Sequence, residues 1–147
     1  MKKLPDILRD VKASGAYLLE SGAPANDVEK LAQENGFAFF LLRGNEIHTK
    51  ADFLSSAAAA LSFPDYFGNN WDAFEDCLTD MSWQEARGYV LLLDDFGPFA
   101  EHSPDEFHTA LEIFKDSAVF WADRQKAFVV LLRGPSSEKP ELPAIQF

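Results

Sequence analysis

The segment LSFPDYFGNNWDAFEDCLTD, residues 61–80, decides how the chain folds, because it joins two predicted helices that follow each other without an intervening strand. The first helix covers residues 49–61, and Thr49 with Asp52 three positions later gives it a good N-terminal cap. The second covers residues 71–81, where apolar residues recur at helical spacing: Trp71, Phe74, Leu78 and Met81. An unusual loop, residues 63–70, connects them.

Continuous apolar runs surround this segment, namely FAFFLL at residues 37–42, YVLLL at 89–93 and FVVLL at 128–132. Runs of this length without polar alternation predict strands buried on both faces, as in a sheet covered by helices. A fourth run, AYLL at residues 16–19, predicts a further strand. Strands that alternate with helices indicate an α/β domain with an at least partly parallel sheet and right-handed crossovers.

Two more helices are predicted. The sequence SPDE at residues 103–106 places a capping serine, a first-turn proline and a glutamate at the third helical position. The helix that follows carries the longest apolar stripe of the chain, formed by Phe107, Leu111, Phe114, Ala118 and Trp121. A shorter helix over residues 24–35 is predicted to end before Gly36. The tail from Gly134, which contains three prolines, is expected to be extended or loose.

The composition of the chain suits one acidic, folded domain. It has 147 residues, a formal net charge of -11 at pH 7, and 47% hydrophobic residues that include fourteen Phe. This length allows one domain with a core and is too short for two ordinary domains. The acidic balance argues against nucleic acid or an anionic membrane as a direct partner, because phosphates would be repelled. It suits a basic protein partner, or it serves solubility alone.

The single cysteine, Cys77, excludes an internal disulfide and favours a reducing compartment. We expect it to be a buried small apolar residue and not a nucleophile, because it lies between Phe74 and Leu78 and acidic neighbours would raise its pKa. We expect no secretory signal, because the first residues carry charges and no apolar core, and no apolar run is long enough to cross a bilayer. A cytoplasmic location is therefore expected.

Residues 51–86 contain no Lys or Arg, but they contain seven carboxylates: Asp52, Asp65, Asp72, Glu75, Asp76, Asp80 and Glu85. Within the predicted helix, Asp72, Asp76 and Asp80 recur at intervals of four, where like charges repel by roughly a few tenths of a kcal/mol per pair. With Asn69 or Asn70 as the cap, Asp72 lies in the first turn and stabilises the helix dipole. The other two have no such role. The stripe therefore faces either water or a positive partner.

Tyr66 and Phe67 lie in the loop before this helix, next to Gly68, which favours a tight turn that another backbone can approach. Aromatic residues beside carboxylates are typical of a protein interface with buried anchors and complementary charge. A core role for one of the two aromatics is an equal alternative. We expect Tyr66 to be the exposed one, because its hydroxyl can stay hydrated.

A magnesium-dependent enzyme is the alternative from another class, since carboxylate oxygens are the ligands that Mg²⁺ prefers. However, the three aspartates would spread over about 12 Å of helix at roughly 1.5 Å per residue, too far for one ion. The chain also lacks a phosphate-binding glycine loop and a nucleophile elbow, and its three histidines are scattered in the sequence. We expect no catalytic residue, no metal and no cofactor.

Residues 61–80 resemble the signature stretch of the barstar family. The matching residues are Pro64, the two aromatics before Gly68, and then Asn70, Asp72, Ala73, Asp76, Cys77, Leu78 and Thr79. A looser similarity extends over about residues 37–132 and includes the sequence IFKD at residues 113–116. The resemblance implies a small parallel sheet of three strands packed with helices, to which residues 16–19 would add a strand at one edge. It divides the chain into an N-terminal extension (1–36), a barstar-like domain (37–133) and a proline-rich tail (134–147).

The resemblance also implies a function, which is inhibition of a small basic ribonuclease by insertion of the acidic helix and its preceding loop into the active site. By position, the family's contact residues correspond to Tyr66, Gly68, Asn70, Asp72, Asp76, Thr79 and Asp116, with Asp76 as the central anion. Neighbouring Phe67, Glu75 and Asp80 complete the predicted partner-binding set. Glu75 replaces an aromatic residue and Asp80 a glycine of the best-known inhibitor, which puts the identity of the target in question.

The alternative within the same fold is an acidic protein–protein interaction module whose client is a toxin nuclease or no ribonuclease at all. In both interpretations the partner is a basic protein, and the chain is expected to be a monomer.

Overall fold

The apolar runs of the sequence form the strands of one sheet in the computed structural model, which describes all 147 residues. The strands are β1 (Gly15–Leu19), β2 (Phe37–Arg43), β3 (Gly88–Asp94), β4 (Ala127–Arg133) and β5 (Ala144–Ile145). The helices are α1 (Leu4–Leu8), α2 (Ala25–Glu34), α3 (Lys50–Leu61), α4 (Trp71–Leu78), α5 (Gly97–His102) and α6 (Pro104–Ala122). The predicted α/β class is confirmed.

All strand pairs in the sheet are parallel, in the order β2-β3-β4-β1-β5. The four predicted strands are confirmed, and the fifth was missed because it has only two residues and follows Pro143. The N-terminal strand was expected at an edge of the sheet, but β5 pairs with its outer side, so that Leu18 lies opposite Ala144. The tail was expected to be extended or loose, and the structure ties its end to the sheet.

Helices cover both faces of the sheet. A cluster of 27 buried residues lies between the sheet and the helices α3, α4, α5 and α6. A second cluster, of 13 buried residues, lies on the opposite face under α1 and α2. Because strands β3 and β4 are covered on both faces, six consecutive residues in each are buried, which explains their uninterrupted apolar sequence.

The predicted start of α3 is confirmed as a capping box. The Thr49 hydroxyl accepts a hydrogen bond from the Asp52 backbone N–H at 3.1 Å, and the Asp52 carboxylate accepts one from the Thr49 N–H at 3.2 Å. The same carboxylate accepts a third bond from the His48 N–H at 3.0 Å.

The predicted capping of α6 by Ser103 is wrong, although the helix does begin at Pro104. The Ser103 hydroxyl donates to the His48 carbonyl at 2.7 Å instead. Glu106 does not reach back to the cap either, because its carboxylate accepts a hydrogen bond from the Trp71 indole N–H at 2.9 Å. Tertiary contacts thus replace the local ones that the sequence predicts.

Helix α4 is shorter than predicted. It ends at Leu78, and the chain then turns, with the backbone N–H groups of Asp80 and Met81 both donating to the Cys77 carbonyl at 3.2 Å. Met81 has a φ of 52° and its side chain is buried. Asp80 therefore lies in the turn after the helix, so the predicted helical stripe of three aspartates is wrong at its third member.

Candidate protein-binding site

One side of α4 is anchored in the core. Phe74 is fully buried, with its ring centre 5.3 Å from that of Phe53 and 5.7 Å from that of Phe114. At the other end of the helix, the Trp121 indole N–H donates to the Leu78 carbonyl at 2.8 Å. These contacts with α3 and α6 hold α4 in place and turn its opposite side outward.

The start of α4 is set by Asn70, whose side-chain oxygen accepts a hydrogen bond from the Ala73 N–H at 2.8 Å. Its amide group donates to the Gly68 carbonyl at 3.3 Å. The left-handed residue of this turn is Asn69, with a φ of 53°, and not Gly68. Asn70, one of the predicted contact residues, thus has a structural role as a helix cap, and Gly68 is not needed for a left-handed turn.

The outward side of α4 carries carboxylates without cations. Asp72, Asp76 and Asp80 are exposed and Glu75 is partly buried, and none of the four carboxylate groups makes an ion pair or a hydrogen bond. Within residues 51–86 the only ion pair joins Glu85 to Lys126, at 3.9 Å. The local negative charge predicted from the sequence is therefore uncompensated at the surface.

A cleft opens beside these carboxylates, and we call it the α4 cleft. It has a volume of about 200 Å³ and is lined by Tyr66, Phe67, Ala73, Asp76, Cys77 and Asp80. Four of these six residues belong to the predicted partner-binding set. Ala73 and Cys77 were not in that set, although Asp76 and Cys77 follow Ala73 at spacings of three and four, which places these three residues on one side of α4.

The two loop aromatics differ in exposure. Tyr66 is 74% exposed, which confirms the expectation that it is the exposed member of the pair. Phe67 is partly buried and packs against the core, with its ring centre 5.0 Å from that of Phe63. Tyr66 therefore belongs to the outer surface of the loop, and Phe67 connects the loop to the apolar core.

Cys77 is only 4% exposed, as predicted for a small apolar residue. Burial raises the pKa of its thiol above the ordinary value, and the nearby charges of Asp80 and Asp76 raise it further. The thiol is therefore protonated at neutral pH, so the group that lines the cleft is an uncharged S–H.

The remaining predicted residues do not line the cleft. Gly68, Asn70 and Asp72 are exposed at the start of α4, while Glu75 and Thr79 are partly buried. The Thr79 hydroxyl donates to the Glu75 carbonyl at 2.9 Å and closes the last turn of the helix. Asp116 is exposed on α6 and is not among the residues of the cleft.

The histidines are less scattered than the sequence suggests. His48 and His102 come together with ring centres 6.1 Å apart, and the His102 Nδ1 lies 3.1 Å from the Ser103 hydroxyl. No group of three or more His, Cys, Asp or Glu side chains is arranged to hold a metal ion. No helix has the length and apolar character needed to span a membrane.

Comparison with known proteins identifies the family of the chain. No curated protein matches the chain. The model of the family described as Barstar (barnase inhibitor) matches residues 37–133. The matched region begins with the first residue of β2 and ends with the last residue of β4, so it contains α4, the loop before it and the α4 cleft. The chain belongs to the barstar family.

Proposed function

We propose that the protein inhibits a small basic ribonuclease by placing α4 and the loop over residues 63–70 in the enzyme's active site. The observation that carries the proposal is the group of exposed carboxylates on α4 that no cation of the chain neutralises. These carboxylates would occupy the positions that RNA phosphates take in the enzyme. Membership in the barstar family supports a protein-binding role of this kind.

The predicted contact residues are divided by the kind of interaction that each offers. Asp72, Asp76 and Asp116 offer charge, and Tyr66 offers an exposed ring as an anchor. A basic active site would pair with these carboxylates and would also attract them from a distance. The barnase–barstar pair is itself a standard case of such steering, so this part of the mechanism is carried over from the family.

The test is a titration of RNA hydrolysis by a basic, barnase-type ribonuclease with the purified protein. We expect activity to fall linearly to zero at one inhibitor per enzyme. Asp76→Ala should raise the inhibition constant about a hundredfold or more, as expected for a central, desolvated charge at an interface.

Glu34→Ala is the matched control. It removes one negative charge from an exposed position at the end of α2, on the opposite face of the sheet. The control should inhibit like the unmodified protein. Absence of inhibition at a large excess of protein, or an equal loss in the two variants, would contradict the proposal.

A second candidate function is an acidic binding module for a toxin nuclease or another basic protein. Two residues favour it, because Glu75 and Asp80 make the site more acidic than the family pattern. Capture experiments that use the unmodified protein and the Asp76→Ala variant as baits would decide between the two candidate functions. A basic partner that binds only the first bait and has no ribonuclease activity would favour the second candidate.

In both cases we propose a monomer that binds one partner molecule in the cytoplasm. The lone, buried and protonated thiol of Cys77 is compatible with a reducing compartment.

A further inference from the structure

We propose that His48 and His102 together bind one divalent transition-metal ion of the zinc and copper class through their imidazole rings. The site lies where the loop between β2 and α3 meets the last residue of α5. It goes beyond the proposed function, because neither histidine lines the α4 cleft or belongs to the predicted partner-binding set.

The two imidazole rings are close enough to share an ion. Their centres are 6.1 Å apart, their planes are inclined by 84°, and both residues are exposed. Two imidazoles on one tetrahedral ion, with metal–nitrogen distances of about 2.1 Å, have ring centres about 5 Å apart. The rings therefore need to approach each other by only about 1 Å, which rotation of two exposed side chains provides.

Ser103 determines which nitrogen of His102 is free to bind an ion. The Ser103 hydroxyl has one proton, and it donates this proton to the His48 carbonyl at 2.7 Å. Its oxygen also lies 3.1 Å from the His102 Nδ1, so in this contact Ser103 accepts and Nδ1 carries the ring proton. In the neutral ring Nε2 is then unprotonated, and an unprotonated imidazole nitrogen is the kind that binds metals.

The same hydroxyl supplies the support that metal-bound histidines have in other proteins. Such a histidine donates its second ring N–H to a fixed acceptor, which holds the ring in its orientation. Ser103 is that acceptor for His102, and its bond to the His48 carbonyl ties it to the backbone of the other ligand. The His48 backbone is fixed in turn by its N–H, which donates to the Asp52 carboxylate at 3.0 Å. One connected set of hydrogen bonds therefore holds both histidines.

The ligand type and the nearby charge indicate the class of ion. Nitrogen ligands favour zinc, copper or nickel, whereas Mg²⁺ and Ca²⁺ prefer oxygen ligands. The Asp52 carboxylate is near enough to His48 for their charges to attract, and its negative charge favours a cation at this place. No third His, Cys, Asp or Glu side chain is arranged to join the two rings, so water would take the other coordination positions.

The test is a calorimetric titration of the whole, untagged protein with ZnCl₂, CuCl₂ and MgCl₂ in a buffer that does not bind metals. We expect one Zn²⁺ or Cu²⁺ per chain, with Cu²⁺ bound more tightly, and no comparable binding of Mg²⁺. Zinc should also raise the melting temperature, because an ion that binds only the folded chain stabilises it. A protein that binds neither Zn²⁺ nor Cu²⁺, or that binds Mg²⁺ equally well, would overturn the proposal.

Histidine variants locate the ion. His48→Ala and His102→Ala each remove one of the two ligands and should weaken Zn²⁺ binding at least about tenfold, since loss of a supporting group alone costs that much. His108→Ala is the matched control, because it removes the third histidine of the chain, which is exposed on α6. The control should bind like the unmodified protein. Unchanged binding in His48→Ala or His102→Ala, or an equal loss in His108→Ala, would overturn the site.

A further variant tests Ser103 as a positioning residue. Ser103→Ala keeps both imidazoles and should weaken Zn²⁺ binding about tenfold. Imidazole ¹⁵N chemical shifts should show the proton of His102 on Nδ1 in the unmodified protein, and Ser103→Ala should lose this preference. Zinc should shift the ring resonances of His48 and His102 and leave those of His108 in place. A proton on Nε2 of His102, or zinc-dependent shifts confined to other side chains, would overturn the proposal.

None of these measurements involves a ribonuclease. Zinc binding without inhibition would leave this site standing and overturn the proposed function, and inhibition without zinc binding would overturn this site alone.

Discussion

The two neighbouring aromatic residues of the loop before α4 have separable roles. Tyr66 is mostly exposed and its ring packs against no other aromatic ring, while the ring of Phe67 packs against that of Phe63. We expect Tyr66→Ala to weaken inhibition at least about tenfold, as for an aromatic anchor, and to leave the melting temperature unchanged. Phe67→Ala should lower the free energy of unfolding by about 1–3 kcal/mol, because it removes a partly buried ring.

Thermal unfolding and inhibition titrations of the two variants check this difference. An equal loss of stability in Tyr66→Ala would show that its ring supports the fold.

A single buried hydroxyl without a hydrogen-bond partner lowers the free energy of unfolding of the protein. Ser117 on α6 is fully buried, and its Oγ has no hydrogen-bond partner. We expect Ser117→Ala to raise the free energy of unfolding by about 1 kcal/mol, because it removes an unsatisfied polar group and improves helix propensity.

Ser14→Ala is the matched control for this measurement by chemical denaturation. The Ser14 hydroxyl donates to the Val11 carbonyl at 2.7 Å and accepts from the Phe128 N–H at 3.1 Å, so its loss should destabilise the protein. A destabilised Ser117→Ala would mean that its hydroxyl has a partner in solution.

At the scale of the element, the capping box of α3 links stability to pH. The hydrogen bond from the His48 backbone N–H holds the pKa of Asp52 below its ordinary value of 3.8, and hydrogen bonds from Thr49 make a smaller contribution in the same direction. A lowered folded-state pKa adds stability that is present above the ordinary value and is lost as the pH falls through the lowered one. We expect Asp52→Asn to lower the melting temperature at pH 7.

The difference between Asp52→Asn and the unmodified protein should shrink below pH 3.8 and vanish once Asp52 is protonated. Melting curves from pH 7 to about pH 2 check this. A difference that is constant over the whole range would assign the effect to packing and not to the charge.

The elements that the sequence predicts are the long ones, in which apolar residues either follow one another or recur at helical spacing. β3 and β4 are uninterrupted apolar runs because helices cover both faces of the sheet, whereas β1 and edge strand β2 were expected to be buried on both faces but are partly exposed. Helices α3 and α6 have long apolar stripes. The short elements α1, α5 and β5 were missed, since five, six and two residues carry no readable period. The Ser103 hydroxyl does not cap α6 because it donates to the carbonyl of His48, a residue 55 positions away.

The charged residues of the candidate site can be predicted from the sequence, but the α4 cleft cannot. The carboxylates and Tyr66 follow from composition and from the family resemblance, whose residue roles stay predictions. The α4 cleft depends on Ala73 and Cys77, which are ordinary apolar residues of a helix when read in sequence. The sequence predicts a helix that continues to Met81, because Thr79, Asp80 and Met81 fit the helical pattern. In the structure the helix ends at Leu78 and the chain turns, with a positive φ at Met81.

At the scale of the whole molecule, the net charge of -11 would speed the arrival of the proposed basic partner. Exposed charges are screened over about 8 Å at physiological ionic strength. We therefore expect the association rate constant to fall steeply as salt is added, while the dissociation rate constant changes little. Stopped-flow mixing with the ribonuclease at increasing NaCl concentration measures both, and a salt-independent association rate would contradict steering.

The two ends of the chain meet at one edge of the sheet. The Leu4 N–H donates to the Gln146 carbonyl at 2.7 Å, and the Gln146 N–H donates to the Lys2 carbonyl at 2.9 Å. Under mechanical tension applied through both ends, the load would fall first on the two-residue strand β5 and on these bonds. Strand β5 would separate from the sheet and expose the outer edge of β1. Strands β2, β3 and β4, which lie in the region matched by the barstar model and support α4, would remain paired.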